Sequence, residues 1–517
     1  MVNQQCDILI VGAGTGGTAA ALALRECGFS VVLTEETAWL GGQLTSQGVP
    51  PDEHPWIEQF GGTLLYRQYR NAVRNAYVLG QISPEAKTAR YLNPGGGWVS
   101  QLCHEPKVSA RILDFWSRAS NLTVIRHVRP IEAATDGDLV KSVTFRSLET
   151  GQTFAIEAKL VLDATELGDV LHHAGAEYVT GFESRLDTGE PSAPEEAQPN
   201  NWQAITWVFA MAHDAGSNRT ISKPDDYDAW RTYQPPFWPG PLLGFQDVNP
   251  WTLQPRHLPL YREDGGLALF DYRQIVSPEI LGQPDRHPVT IVNWPMNDYF
   301  VRPIIDKNGE RDESAMVGAM ALSRSLLYWL QTEAPRHDGG IGYPGLYMYG
   351  ESVGTEDGFA MFPYIREARR ALTVKRICEQ DVSATLNPGL RVAPLHEDSV
   401  GVGAYRIDLH PSTGGDNYLD VSSLPFQIPL GALVPVRMRN LIPCAKNIGT
   451  THITNGCYRL HPVEWNIGES AGHLAAYCLT HGLSVQAVWE SPAHVSELQR
   501  MLDNAGIERR WPEVGPL

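Results

Sequence analysis

A glycine-rich turn between an apolar strand and a helix constrains the fold of this chain more than any other feature. The segment "CDILIVGAGTGGTAAALALRECGFSVVLTEE" opens with a continuously apolar run, which is typical of a parallel strand buried on both faces. Residues 19–25 are strong helix formers, Gly28 ends the helix, and residues 30–34 form a second strand. The pattern predicts a βαβ unit and therefore an α/β fold.

The turn carries the spacing G-x-G-x-x-G at Gly12, Gly14 and Gly17. These glycines allow the tight turn, the approach of a pyrophosphate to the backbone, and close packing of helix on strand. Glu35 ends the second strand, about 20 residues further on, where an acidic residue binds a ribose hydroxyl, and Glu36 is the alternative. The unit predicts a dinucleotide site. It occurs once, whereas enzymes with separate flavin and nicotinamide domains normally carry two copies.

Charge and cysteine usage limit the expected partners. The 517 residues include 41 basic and 59 acidic side chains, a net charge of −18, which disfavours nucleic acid and anionic membrane surfaces. Seven cysteines without a CxxC pair are typical of a reducing compartment. No signal peptide or membrane-spanning apolar run is visible, so we expect a cytoplasmic protein. The expected partner is a small-molecule substrate, and a homodimer is compatible with the sequence.

The pattern changes along the chain. Strand-like runs from residue 122 to residue 165 predict an antiparallel meander inserted into a parallel sheet. From about residue 182 to residue 413 prolines and aromatic residues become dense, which predicts a second, mixed domain. "LIPCAKNIG" then predicts another strand, "NIGESAGHLAAYCLTHG" a small-residue helix, and "HVSELQRMLDNAG" a last surface helix.

One segment makes a family resemblance specific. "KLVLDATELGD" is an apolar strand that runs into Ala164 and Thr165, and the chain resembles FAD-dependent oxidoreductases with a glutathione-reductase-type flavin fold. In that family a strand ending in Ala-Thr-x-x-Gly returns to the nucleotide after a β-meander. The segments "VNWPMNDYF", "YWLQTE", "YIREARR", "PFQIPLGALVPVRMRNLIPCAKNIG" and "GCYRLHPVEWNIGESAGHLAA" follow the order of one large, poorly characterised branch.

The resemblance implies FAD as cofactor and an α/β architecture assembled from both ends of the chain. Residues 1–181 would form the first part of a Rossmann FAD-binding domain with the inserted β-meander. Residues 182–413 would form a mixed α+β substrate domain, residues 414–485 the returning part of the FAD-binding domain, and residues 486–517 a helical tail. Ala164 and Thr165 are candidate FAD contacts.

The resemblance also implies roles for the C-terminal part. The final helix of this fold points its N-terminus at the flavin, where N–H groups and the helix dipole stabilise developing negative charge. Asn466, Ile467 and Gly468 would form that end. Family members place a Ser-His pair and an Arg shortly upstream, where this chain has Thr451-His452 and Arg459. His452 and Arg459 are therefore candidate catalytic residues, and the alternative is that they only cap and pack the helix.

The loop after Gly41 passes beneath the flavin in the related fold. Gly42, Gln43 and Thr45 are candidate FAD contacts, and the missing cysteine pair excludes dithiol chemistry of the disulfide-reductase type. Asp52, Glu53 and His54 then supply titratable groups. A desolvated Glu53 or a His54 with a near-neutral pKa can take the proton of an alcohol or amine that gives up hydride. The alternative is a solvated turn, because Pro-Pro-Asp is common in turns.

Other residues are weaker candidates. Cys103 or His104 is a conceivable flavin tether, and a buried thiol is the simpler interpretation. Arg366, Arg369 and Arg370 are candidates for carboxylate binding, and the alternative is a structural ion pair of Arg366 with Glu367. The aromatic stretch from residue 230 to residue 261 suits either a substrate pocket or a sheet face, and no metal-ligand spacing stands out.

Three functions remain open from the sequence. The first is an FAD-dependent dehydrogenase or oxidase, in which the substrate transfers hydride to flavin N5 and oxygen or another acceptor reoxidises the flavin. The second is a flavin monooxygenase that uses diffusible NAD(P)H, although the Gly-Asp pattern of the aromatic hydroxylases before the last helix is missing. The third is a flavin-bearing RNA-modification or interaction protein, which the net charge of −18 opposes.

Overall fold

A computed structural model describes residues 4–80, 82–262, 265–367 and 369–517. Its N-terminal part contains a sheet and flanking helices. The strands are β1 (Gln4–Val11), β2 (Val31–Thr34), β3 (Leu122–Ile125), β4 (Val128–Asp136), β5 (Leu139–Ser147), β6 (Thr153–Asp163) and β7 (Tyr178–Val179). The helices are α1 (Thr15–Ala23), α2 (Leu64–Val78), α3 (Pro84–Thr88), α4 (Pro106–Trp116), α5 (Asp169–His173) and α6 (Arg185–Thr188).

The middle part mixes short strands with one long helix. The strands are β8 (Ile205–Thr206), β9 (Phe209–His213), β10 (Gln246–Val248), β11 (Pro255–His257), β12 (Gln274–Val276), β13 (Val289–Val292), β14 (Asp298–Tyr299), β15 (Leu346–Met348) and β16 (Arg370–Ala371). The helices are α7 (Tyr227–Thr232), α8 (Leu269–Tyr272), α9 (Glu313–Thr332) and α10 (Gly350–Val353). An antiparallel sheet in the order β12-β13-β9-β15 lies against α9.

The last part supplies a strand and a long helix that contact the N-terminal part. Its strands are β17 (Ser399–Gly403), β18 (Ile407–Leu409), β19 (Leu419–Val421), β20 (Phe426–Pro429) and β21 (Leu441–Pro443). Its helices are α11 (His452–Tyr458), α12 (His461–His481), α13 (Val485–Glu490) and α14 (Pro492–Asn504). Among the described residues, no helix is long and apolar enough to cross a membrane.

The main sheet has a parallel core with an antiparallel extension. Its strand order is β3-β2-β1-β6-β5-β4, and β21 also pairs with β6. The strands β1, β2, β3, β6 and β21 run parallel, which gives the α/β, Rossmann-like core that the sequence predicted. The pairs β4–β5 and β5–β6 are antiparallel. Residues 122–125, at the start of the predicted run of strands, pair in parallel with β2.

Small residues let α12 pack directly on α1. A Cβ on Gly468 would collide with the carbonyl oxygen of Gly16, and a Cβ on Gly472 would lie 2.8 Å from the carbonyl oxygen of Ala20. Gly468 and Gly472 are four residues apart, so both lie on one face of α12. This close contact, together with β21, joins residues from the two ends of the chain in one unit.

Candidate active site and cofactor site

The turn that follows β1 is closed by main-chain contacts. Gly12 has a φ of +93°, and a Cβ there would collide with the carbonyl oxygen of Ala164. A Cβ on Gly17 would collide with the carbonyl oxygen of Gly12. A Cβ on Gly14 would instead lie 2.6 Å from the side-chain Oε1 of Glu166. Packing therefore requires Gly12 and Gly17, whereas Gly14 keeps the backbone open toward a cleft.

The lining of this cleft includes residues that the sequence singled out, namely Gly12, Gly14, Glu35, Gly42, Ala164 and Thr165. Gly42 has a φ of +53°, and a Cβ there would lie 2.7 Å from the Cα of Gly14. The loop after Gly41 and the turn after β1 are thus in direct contact. Thr45 is buried outside the cleft lining and donates its hydroxyl hydrogen to the carbonyl oxygen of Leu40 at 2.6 Å.

Glu35 is the acidic residue held at the turn. Its carboxylate accepts hydrogen bonds from the main-chain N–H of Ala13 (2.9 Å) and from the N–H and hydroxyl of Thr37 (2.8 and 2.7 Å). Burial raises the pKa of Glu35 to about 7. Glu36, the alternative, binds Arg311 through both carboxylate oxygens, at 2.7 and 2.9 Å. Its carboxylate is therefore committed to an ion pair.

Helix α12 begins at His461, with Pro462 in its first turn. The prediction that Asn466, Ile467 and Gly468 form the N-terminus of this helix is therefore wrong, because they lie in its second turn. All three are buried, and Gly468 packs on α1 as described above. Proline is common in the first turn of helices, so the sequence does contain the signal for the true start.

A cavity of about 450 Å³ lies beside the start of α12. We call it the Asp52 cavity; its polar lining includes Asp52, His54, Arg273, Asn293, Tyr364, Tyr405, Asp408, His410 and Arg459. The main-chain N–H of Asp52 donates to Nδ1 of His461 at 3.0 Å. This hydrogen bond links the cavity wall to the first residue of α12. The sequence analysis did not assign a site role to Arg273, Tyr405, Asp408 or His410, which have no motif to mark them, or to Tyr364, which lies in the quoted segment "YIREARR".

Asp52 is the unpaired carboxylate of this cavity. Its side chain accepts no hydrogen bond from any residue that the structure describes, and it is only 7% exposed. Burial raises the pKa of Asp52, whereas the positive charges of Arg273 and Arg459 act in the opposite direction. A desolvated carboxylate beside two guanidinium groups is suited to accepting a proton from a bound ligand.

The family comparison agrees with this geometry. The family model described as FAD dependent oxidoreductase matches residues 7–502. The chain belongs to this family. It is an FAD-binding enzyme of the oxidoreductase class, as the sequence predicted. No curated protein matches the chain.

Solved structures with some similarity include two dehydrogenases and one monooxygenase. Glycerol-3-phosphate dehydrogenase from Bacillus halodurans, solved with FAD, is 14% identical with a TM-score of 0.25, and the match covers 41% of this chain and 40% of that one. L-proline dehydrogenase from P. horikoshii is 17% identical with a TM-score of 0.19 (36% and 26% covered). p-Nitrophenol 4-monooxygenase from Pseudomonas putida is 14% identical with a TM-score of 0.25 (42% and 49% covered). The matches span less than half of each of these chains, and at such TM-scores they carry no argument about substrate.

Buried polar atoms near the cleft indicate that the residues fit FAD. Gln43 Oε1, both side-chain amide atoms of Gln47, and His461 Nε2 are buried without a hydrogen-bond partner within the described part of the chain. His461 Nδ1 accepts from Asp52, so Nε2 carries the hydrogen and is an unused donor. Unpaired buried polar atoms cost about 1–3 kcal/mol each, and a cofactor that carries both hydrogen-bond donors and acceptors removes that cost. With the open backbone at Gly14, these residues are suited to hold it.

Lys446 was not found from the sequence. Its ammonium group is fully buried, binds Glu166 Oε2, and lies 4.0 Å from Glu464 Oε2. Glu166 Oε1 faces Gly14, so the carboxylate of Glu166 lies next to the turn and Lys446 neutralises its charge. Lys446 is not among the residues that line the cleft, so it acts on the turn by holding Glu166 in place.

Glu53 and His54 line the Asp52 cavity, but the ion pair of Glu53 and the low pKa of His54 differ from the prediction that either residue takes a proton. Glu53 accepts from the hydroxyl of Tyr66 at 2.7 Å and forms a buried ion pair with Arg70. This ion pair argues against Glu53 as a proton acceptor. His54 Nε2 donates to the carbonyl oxygen of Gly61 at 2.9 Å, and its Nδ1 is buried and unpaired among the described residues. Burial lowers the pKa of His54 to about 4, so the ring is neutral at pH 7.

Arg459 and His452 are separated by the fold. Arg459 lines the Asp52 cavity, donates to the hydroxyl of Tyr364 at 2.7 Å and pairs with Asp408 at 3.2 Å. His452 is not among the residues lining that cavity. It starts α11, its Nδ1 lies 2.8 Å from Glu367 Oε1, and its ring lies 3.7 Å from that of Phe182. A catalytic role for His452 stays a prediction that these contacts do not favour.

The weaker candidates are mostly held in structural contacts. Burial raises the pKa of the Cys103 thiol to about 12, and both ring nitrogens of His104 lie within hydrogen-bond distance of protein atoms. Arg369 binds Asp169, and Arg370 binds both Glu183 and Glu367. Arg366 lines the Asp52 cavity and pairs with Asp298 at 2.9 Å, so the expected ion pair of Arg366 with Glu367 is wrong in its partner.

Proposed function

We propose that this enzyme oxidises a small organic alcohol or amine in the Asp52 cavity, with Asp52 as the base that takes the O–H or N–H proton. The substrate carbon loses a hydride and becomes a carbonyl or imine carbon. When bound, FAD supplies the acceptor for that hydride, and oxygen or another acceptor later takes the two electrons. The oxidised carbon product, the proton on Asp52 and the hydride with its two electrons account for all atoms and electrons of the substrate.

The observation that carries the proposal is the desolvated, unpaired carboxylate of Asp52 in a cavity that adjoins the start of α12. His461 is hydrogen-bonded to Asp52 on one side and has an unused, buried donor on the other. The cavity and the cofactor residues are thus joined through one imidazole. Arg459, held by Tyr364 and Asp408, adds hydrogen-bond donors in a fixed position that orient a polar substrate group.

The glutathione-reductase-type arrangement belongs to the same proposal. Its support is that β21 and α12 follow the middle part of the chain and rejoin β6 and α1. In this arrangement residues 1–181 and 414–485 hold FAD, and residues 182–413 supply much of the cavity. The pairing of β4, β5 and β6 fits the inserted meander.

The test starts with holoprotein mixed anaerobically with a panel of alcohols and amines, while the absorbance of oxidised flavin is followed. With a substrate that bleaches the flavin, the Asp52→Asn variant should reduce it about 10²- to 10⁴-fold more slowly, since a general base is lost. Its FAD content per chain should be unchanged. Because the ionised base is required, the wild-type rate should rise as pH passes the raised pKa of Asp52.

The matched control is Glu53→Gln, a change in the neighbouring carboxylate. It removes one of the two carboxylates that pair with Arg70, the other being Glu58, so it should lower thermal stability while the rate of flavin reduction stays near that of the wild type. Wild-type rates in Asp52→Asn would refute the role of Asp52. Rapid anaerobic bleaching by NADPH alone would instead support the monooxygenase alternative.

A further inference from the structure

The arginines that line the Asp52 cavity are almost all neutralised by the protein itself. Arg256 binds Asp247 through two hydrogen bonds of 2.9 and 2.6 Å. The other pairs are Arg366 with Asp298, Arg406 with Asp420, and Arg459 with Asp408. Each pair keeps oriented donors and acceptors while its charges cancel. An anionic substrate would have to compete with these carboxylates, whereas a neutral polar substrate would not.

Arg273 is the arginine of this wall that has no carboxylate partner among the described residues. It donates to the carbonyl oxygen of Asn293 at 2.7 Å. Burial acts to lower the pKa of Arg273, and the negative charge of Asp52 is the largest influence that raises it. The cavity wall therefore offers many hydrogen-bonding groups with little net charge, which suits a ligand rich in hydroxyl groups.

Aromatic rings form the other part of the wall. They are Trp251, Tyr272, Trp294, Tyr364, Tyr405 and Tyr418. The faces of aromatic rings carry partial negative charge and attract the C–H groups of a sugar ring, which are slightly positive. A cavity of about 450 Å³ lies in the range of ligand pockets for drug-sized molecules, so it exceeds what a very small alcohol would fill.

Trp251 is the most informative of these rings. It lines the cavity, yet it is 71% exposed, which is unusual for so large an apolar side chain. The turn that carries it is fixed: Asn249 Oδ1 accepts from the N–H of Trp251 (2.9 Å) and of Thr252 (3.2 Å). Leu253 in the same turn has a φ of +54°, a strained conformation for a leucine. The guanidinium carbon of Arg406 lies 5.9 Å from the centroid of the Trp251 ring, and the large exposed fraction of the side chain leaves the rest of the ring open beside the cavity.

We infer that the substrate is a neutral carbohydrate, a sugar or a sugar-terminated glycoside, which stacks on Trp251 and is oxidised at one carbinol carbon. The inference rests on the proposed function and specifies its substrate class. The carbinol C–H leaves as hydride with two electrons to FAD, and the O–H proton goes to Asp52. The product is the corresponding lactone or keto sugar, and oxygen or another acceptor reoxidises the cofactor.

The first experiment compares substrate classes in anaerobic mixing with holoprotein. The panel contains glucose, galactose, xylose, cellobiose and maltose, then gluconate and glucuronate, lactate, and the amino acids proline and alanine. At least one neutral sugar should bleach the flavin faster than any anion or amino acid. If an amino acid or hydroxy acid is fastest and no sugar reacts, the inference is overturned while the proposed function stands.

If no compound bleaches the flavin, the proposed function fails, and binding still decides the substrate class. Quenching of tryptophan fluorescence by the same sugars, absent in Trp251→Ala, would support the inference. Absence of quenching in the wild type would overturn it. This readout does not depend on turnover.

The second experiment uses Trp251→Ala with the active sugar. Loss of one stacked ring should raise KM about tenfold, because such contacts contribute about 1.5 kcal/mol at most, and should lower kcat by less. The control is Phe115→Ala, which removes another exposed aromatic ring, 67% exposed on α4, outside the cavity. An unchanged KM in Trp251→Ala, or an equal shift in both variants, would overturn the stacking role.

Discussion

The turn after β1 and the Asp52 cavity are built in opposite ways. The turn consists of residues close together in sequence, and its tightest contacts are between main-chain atoms, as at Gly12 and Gly17. The cavity consists of side chains from positions as far apart as Asp52 and Arg459, and its character depends on which charges are paired. The first region depends on space at the backbone, and the second on electrostatics between distant segments. Substitutions should therefore fail for different reasons in the two regions.

The largest loss of stability is expected where a glycine packs so closely on main-chain atoms that no side chain fits. In Gly17→Ala and Gly468→Ala the new methyl group would meet a main-chain carbonyl oxygen that cannot move aside. We expect a loss of more than about 3 kcal/mol and little folded protein, measured by soluble yield and thermal unfolding. Gly240→Ala is the control, since nothing lies within 4 Å of its Cβ position. Native stability in Gly468→Ala would show that α1 and α12 are not packed as closely as described.

Gly14→Ala separates cofactor binding from packing in the same turn. Its new methyl group would come too close only to the flexible end of Glu166, while the carbonyl oxygen of Ala164 lies at an ordinary contact distance of 3.7 Å, so the fold should persist. The methyl group would, however, occupy the space through which the backbone approaches a pyrophosphate. We expect FAD content per chain to fall at least about tenfold, a change of about 1.4 kcal/mol or more. The thermal unfolding of FAD-free protein should match the wild type, and full FAD content would contradict the assignment.

Glu469 on α12 makes the stability of the protein depend on pH. It is buried in α12, accepts from the Thr63 hydroxyl and the Trp465 ring nitrogen, and burial raises its pKa from 4.5 to about 7. Between these values the native state keeps a proton that the unfolded state has lost, so this group lowers stability as pH rises from 4.5 to 7. The effect is up to about 3 kcal/mol.

Glu469→Gln retains an acceptor and cannot ionise. Urea unfolding should show a variant that gains stability relative to wild type from pH 5 to pH 8, by up to about 3 kcal/mol. Flavin reduction should stay the same, because Glu469 is outside the Asp52 cavity. A constant difference in stability across this pH range would mean that Glu469 is ionised in the folded protein.

The smallest effect is expected for an arginine change in the cavity. Arg459→Lys keeps the charge and loses the planar group that binds Tyr364 and Asp408 together. The rate of flavin reduction should fall about tenfold, in line with the loss of one charged hydrogen bond. Arg369→Lys, a buried arginine outside the cavity, is the control and should reduce flavin at the wild-type rate. An equal loss of the flavin reduction rate in Arg459→Lys and Arg369→Lys would show that the position of Arg459 in the Asp52 cavity is not what matters.

Much of the cofactor region could be predicted from the sequence. The order strand, turn, helix, strand and the spacing of Gly12, Gly14 and Gly17 depend on local backbone geometry, which leaves a direct pattern in residue types. Glu35 follows from the same unit, because the second strand ends beside the turn. The start of α12 at His461 was also available, through Pro462, although the prediction placed it too late.

The states of Asp52 and Glu53 were decided only by the tertiary structure. In sequence they are adjacent carboxylates and nothing distinguishes them. In the fold, Arg70 on α2 neutralises Glu53, while Asp52 faces a cavity whose arginines mostly have other partners. Likewise, His452 enters a buried contact with Glu367, and Arg459 lines the cavity. Local patterns fix backbone conformation because they act over a few residues, whereas the ionic state of a side chain depends on partners that only folding brings within a few ångströms.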